Sequence, residues 1–258
     1  YFVKIGHGSM GGKALGLAFM ADQLHRNRKL HEKYPHVNIA IPPTLVITTE
    51  AFDAFINDNN LHRQFADKND AEIADLFLQA TIPEWLKKQL AVFLQQIKVP
   101  LTVRSSSLLE DALYKPYAGL YETYMLPNNH ADFAVRLEQL LHAVKLVYAS
   151  TYFASPRAFS SEDSQSSRQE GMAVMVQLLA GNSYVDHFHP AVSGVAMSHN
   201  FYPVGKMKGD EGVAQIALGF GKTVVEGEQS LRFAPRYPES LPQFSTVEDI
   251  LANSQRYF

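Results

Sequence analysis

Leu101-Thr102-Val103-Arg104-Ser105-Ser106-Ser107 is followed by Glu110-Asp111 and then by Tyr117-Ala118-Gly119-Leu120-Tyr121-Glu122-Thr123-Tyr124. The run Leu101-Thr102-Val103 is apolar and β-branched and comes after Pro100, which predicts a buried strand that delivers Arg104 at its end. A guanidinium presents five donors in fixed geometry and stays charged at any working pH, so it suits bidentate contact with phosphate oxygens. The hydroxyls of Ser105, Ser106 and Ser107 add donors, and the turn they favour exposes backbone N–H groups to an anion. A structural ion pair of Arg104 with Glu110 or Asp111 is the alternative, because a buried arginine is usually paired whatever else it does.

A second glycine-rich element opens the chain. Ser9-Met10-Gly11-Gly12-Lys13 runs into Ala14-Leu15-Gly16-Leu17-Ala18-Phe19-Met20-Ala21, which reads as a helix to about Leu24. Its glycines permit close approach of a ligand, its helix start offers N–H groups, and Lys13 adds a point charge. It is not a Walker A loop, since Ala14 stands where Ser or Thr would hold magnesium. Taken alone, a flexible turn with a solvated lysine is the simpler reading.

Farther out, Pro83-Glu84-Trp85-Leu86 starts a helix with an apolar stripe of Leu86, Leu90, Phe93, Leu94 and Ile97. A second helix is predicted from about Ala131 to Tyr152, with Phe133, Leu137, Leu140, Leu141, Val144 and Val147 on one side. Polar residues from Ser160 to Glu170 read as an exposed connection. The pattern then changes to strands at Met172–Leu179, Ala191–Met197, Gly212–Leu218 and Leu231–Phe233. A helix-rich part followed by a mostly antiparallel part predicts an α+β fold of two lobes with a ligand between them. His187-Phe188-His189 lacks a companion ligand set beyond Asp186 and reads as a loop against the sheet rather than as a zinc site.

Composition sets the bounds. At 258 residues and 46% hydrophobic content, the chain can bury a sizeable core. A net charge of −3 with 23 Lys plus Arg argues against a nucleic-acid partner, which needs a basic stripe. Without cysteine there is no disulfide, thiolate metal site or thiol nucleophile. Apolar runs fall short of the ~20 residues that span a bilayer, so no membrane partner and a cytoplasmic location are expected.

Taken together, these blocks resemble the N-terminal ATP-binding domain of the phosphoenolpyruvate synthase and pyruvate phosphate dikinase family, an ATP-grasp-like fold. The resemblance rests on Gly11-Gly12-Lys13 with Ala14-Leu15-Gly16-Leu17, on Ile41-Pro42-Pro43 before Val46-Ile47-Thr48-Thr49-Glu50-Ala51-Phe52, and on Val103-Arg104-Ser105-Ser106. It continues through Ala118-Gly119, Glu122-Thr123-Tyr124, Val174-Met175-Val176-Gln177, Ser193-Gly194-Val195-Ala196 and Gly219-Phe220-Gly221 with Val224-Val225-Glu226-Gly227.

That resemblance implies ATP and Mg2+ as ligands, with Lys13 and Arg104 on the phosphates, Gly119 and Thr123 along the phosphate path, and Gln177 at the adenine end. The backbone of Val176 or Leu178 would pair with the base, and Val103, Met175 and Val195 would wall its slot. A first lobe over 1–100 and ATP-grasp-like lobes over 101–258 are expected, the sequence stopping before the family's acidic, metal-holding strand. Glu226 and Glu228 are not assigned as its substitutes, so metal ligands stay unassigned. Thr44 stands where a glycine commonly follows Pro-Pro, a change placed in a turn, and Met197-Ser198-His199-Asn200-Phe201-Tyr202-Pro203 departs from the dikinase pattern. The implied activity hands a phosphoryl or pyrophosphoryl group from ATP to a histidine on another domain, for transfer to pyruvate. The phosphohistidine and pyruvate-binding domains would lie outside this chain, which holds no catalytic residue of its own and is not expected to turn over alone. Alternatives are a dikinase with another acceptor, such as a glucan or an antibiotic, and a nucleotide-binding regulatory module without catalysis.

Overall fold

Arg104 lies on an inner strand of a five-stranded sheet, in a computed structural model that describes residues 2–62, 65, 67–107, 121–161, 171–225, 227 and 229–256. The chain divides into two compact units, 1–179 and 180–258.

In chain order the first unit contains β1 (Phe2–Ile5), α1 (Gly11–Arg26), α2 (Arg28–Lys33), β2 (Thr44–Ile47), α3 (Thr49–Asp58), α4 (Asp70–Gln79) and α5 (Glu84–Gln96). It continues with β3 (Leu101–Ser106), β4 (Thr123–Leu126), α6 (Phe133–Ser150), α7 (Ala154–Ser161) and β5 (Ala173–Leu178). The sheet order is β1-β2-β5-β3-β4, with β1 and β2 parallel and the other neighbours antiparallel. The pairing of β2 with β5 joins a strand before residue 100 to one after it in the same sheet.

Alternation along the strands decides which face is the core. Leu45 and Ile47 of β2, Leu101 and Val103 of β3, and Val174 and Val176 of β5 share one face with the apolar stripes of α3 to α6. The spacing of four in Leu86, Leu90 and Leu94 makes a continuous stripe on α5, and all three are fully buried. On α6, Leu140, Val144 and Val147 do the same, with Phe133, Leu137 and Leu141 packed beside them. A reciprocal capping box of Asn69 and Glu72 starts α4. Tyr148 enters this core with its ring centroid 5.1 Å from Phe52 and 5.5 Å from Phe55. The other face carries a smaller cluster, Ala14 of α1 on Val46 and Met175, with Phe2, Met10 and Leu17 around it.

The second unit contains the hairpin β6 (Asn182–Tyr184) and β7 (His187–His189), then β8 (Val192–Met197), β9 (Val213–Leu218), α8 (Lys222–Val225), β10 (Leu231–Phe233) and α9 (Val247–Asn253). Its sheet, in the order β10-β9-β8, is antiparallel throughout. The expected α+β class, helix-rich first and antiparallel later, is the class observed. His187-Phe188-His189 departs from the expected loop: it pairs with Asn182–Tyr184 in a hairpin, and His189 stacks on Tyr184 at 4.4 Å.

Candidate functional site

The segment from Gly6 into the first turn of α1 is anchored at both ends before any ligand is considered. Thr49, at the start of α3, accepts the Ser9 N–H at its hydroxyl and donates its own N–H to the Ser9 carbonyl, both at 3.0 Å. The His7 N–H donates to Glu50 Oε2. At the other end, Ser106 Oγ donates to the Met10 carbonyl at 2.8 Å and accepts the Ala14 N–H at 3.0 Å, while the Gly12 N–H donates to the Ser107 carbonyl. Met10, the N-cap of α1, offers no side-chain cap of its own. Ser106 therefore caps a helix from a strand far away in sequence. The approach is so close that a Cβ on Gly11, whose φ is +75°, would stand 1.6 Å from the Ser106 carbonyl oxygen.

This arrangement corrects two expectations. The strand does not end at Arg104 but pairs on through Ser105 with Val174 and Ser106 with Ala173, so those serines lie in the ladder and not in an anion-binding turn. The start of α1 does not hold its donors open either: the N–H groups of Gly11, Gly12 and Ala14 are taken by Ser9 Oγ, the Ser107 carbonyl and Ser106 Oγ. Beyond those donors, this face presents side chains.

Register aligns those side chains. Lys4, Val46, Met175, Arg104 and Thr123 are successive cross-strand partners, one row across all five strands on the α1 face. The adjacent row runs Phe2, Thr44, Gln177, Thr102 and Met125. Arg104 is half-buried, and its Nε is a buried donor with no hydrogen-bond partner. Lys13 is half-buried in the first turn of α1, the turn fastened to Ser106, two positions from Arg104 on the same face of β3.

Residues 7–235 match the family described as pyruvate phosphate dikinase, AMP/ATP-binding domain. The chain belongs to that family. Over those residues it is an AMP/ATP-binding domain of that family. Prodigiosin synthesizing transferase PigC of Serratia marcescens is 27% identical over 146 residues, covering 56% of this chain and 15% of that protein. The chain thus spans a small part of that relative's length.

Within this AMP/ATP-binding domain the expected site residues fall as follows. Arg104 and Thr123 face each other directly, and Gln177 lies one row along on the same face. Gly119 lies outside the described residues, as do Glu110 and Asp111. Met175 is fully buried beneath α1, directly opposite Arg104. Val103 cannot wall a slot beside Arg104, because alternation turns it into the helix-covered core. Val195 is about half-exposed on β8 of the second unit.

Sequence reading missed Ser106 as the cap of α1 and Thr44 as a strand residue. Far from sitting in a turn, Thr44 opens β2 beside Gln177, and its hydroxyl accepts the Gln177 Nε2–H at 2.9 Å. It also missed Gly6 and Gly8, although Gly6-His7-Gly8-Ser9-Met10-Gly11 is a G-x-G-x-x-G run between a strand and a helix. Both glycines meet protein: a Cβ on Gly6 would stand 2.4 Å from Thr48 Oγ1, and one on Gly8 2.5 Å from Thr49 Oγ1. Among the described residues no group of three or more His, Cys, Asp or Glu could hold a metal ion, and no helix is long and apolar enough to cross a membrane.

Proposed function

We propose that Lys13 and Arg104 hold the phosphates of ATP on the α1 face of the first sheet, with Thr123 and Gly119 along the phosphate path and Gln177 toward the adenine. The observation that carries this reading is the buried, unpartnered Nε of Arg104. A buried donor left unmatched costs on the order of 1–3 kcal/mol, and a phosphate oxygen beside Lys13 would satisfy it. The two cations would act electrostatically, stabilising charge that shifts between oxygens as the phosphoryl or pyrophosphoryl group leaves. That group passes to a histidine on another domain and from there to pyruvate. Magnesium belongs with such phosphates; the described residues gather no carboxylate cluster for it, and no ligand to it is assigned.

A second reading keeps the ATP grip and changes the acceptor. It is favoured by the likeness to a transferase named for prodigiosin synthesis rather than for pyruvate.

Calorimetry with ATP tests the grip. Wild-type protein should bind, and Arg104→Ala should weaken binding by roughly tenfold or more, the worth of a charge-assisted contact. Equal affinity of the two proteins would remove Arg104 from the site.

A further inference from the structure

We infer that Thr44 sets the base preference of this site by fixing which end of the Gln177 amide faces the ligand. The inference rests on the reading of Gln177 as the residue at the base end. Thr44 Oγ1 lies 2.8 Å from the Pro42 carbonyl and 2.9 Å from Gln177 Nε2. A carbonyl oxygen only accepts, so the single hydroxyl proton of Thr44 goes to Pro42. The hydroxyl oxygen is then left to accept, and only the NH2 end of an amide can donate to it. Thr44 is 3% exposed, so water does not compete for either bond.

Gln177 Oε1 is therefore turned away from Thr44. Register puts Gln177 on the face that carries Arg104 and Thr123, one row from both. A fixed acceptor there accepts a hydrogen bond from the exocyclic amine of adenine. Guanine carries a carbonyl oxygen at the same position, and two acceptors face to face gain no bond and repel. Were the amide able to turn over, it would meet either base; the Pro42–Thr44 relay is what prevents this.

Isothermal calorimetry with ATP and with GTP, run on the wild-type protein, Thr44→Val and Thr44→Ser, tests the relay. Wild type should favour ATP by roughly tenfold or more. Thr44→Val keeps the shape of the side chain but frees the amide, and the ratio should fall to within about threefold; Thr44→Ser restores the hydroxyl and should keep the wild-type ratio. If Thr44→Val does not fold by thermal unfolding, Thr44→Ala replaces it, removing the same hydroxyl, and should lose the preference in the same way. A wild-type ratio near one, or one unchanged in the variant that removes the relay, overturns the inference while leaving nucleotide binding intact. A wild-type protein that binds neither nucleotide overturns the nucleotide reading and this inference with it.

Discussion

Ser106 on β3 accepts the backbone N–H of Ala14 on α1 at 3.0 Å, a bond that closes 92 positions of sequence. Its proton goes to the Met10 carbonyl, and the side chain is fully buried. The strand that carries Arg104 and the helix that carries Lys13 are thereby one piece. Ser106→Ala removes a cap and leaves a buried N–H and carbonyl without their partner, so unfolding in urea should show a loss of about 1–2 kcal/mol. An unchanged urea midpoint would mean that the latch contributes nothing.

Two glycines of α1 should respond in opposite senses. Gly11→Ala forces a Cβ into the Ser106 carbonyl at a positive φ, and a loss of ~3 kcal/mol or more is expected, up to failure to fold. Gly16, in the same helix, has open space where a methyl group would stand, with nothing within 4 Å, so Gly16→Ala should raise stability by about 0.5–1 kcal/mol. Thermal unfolding of both variants checks the pair.

Arg104→Lys separates charge from geometry. Lysine keeps the positive charge but lacks the planar fork and the buried Nε, so ATP affinity should drop by about tenfold with the fold retained. Calorimetry beside circular dichroism measures both; full retention of affinity would reduce the arginine to a point charge.

Alkaline stability should follow two core phenols. Burial, with Asp53 nearby, pushes the Tyr152 pKa up to about 12 and that of Tyr148 higher still, from an ordinary value of 10.0. A raised folded pKa gives stability that is fully present below the unfolded pKa and lost as pH climbs through the folded one. Stability should therefore hold to about pH 10 and fall steeply between 10 and 12, with Tyr152→Phe flattening that fall. The Tyr148 hydroxyl is buried without a partner, so Tyr148→Phe should stabilise by about 1 kcal/mol at neutral pH. A loss there instead would reveal a partner for that hydroxyl.

Helical spacing made α5 and α6 legible, because a repeat of four in Leu86, Leu90 and Leu94 needs no tertiary information. The order of glycine-lysine loop, arginine strand and later strands made the family legible. The serines after Arg104 were not: three hydroxyls in a row favour a turn, and only pairing with Val174 and Ala173 on β5, some 70 residues on, keeps them extended. Which of Val103 and Arg104 faces the core is equally invisible until the strand has neighbours. The same holds for Thr44, whose meaning depends on Gln177, 133 positions away.

The riveted segment from Gly6 into the first turn of α1 also bears on the thermodynamics of the proposed ligand capture. Backbone that is already ordered by Thr49, Glu50, Ser106 and Ser107 has little conformational freedom left to surrender when an anion arrives. On the proposal that Lys13 and Arg104 hold the phosphates, affinity at this end would be governed by desolvation of two cations and not by the ordering of a flexible clasp.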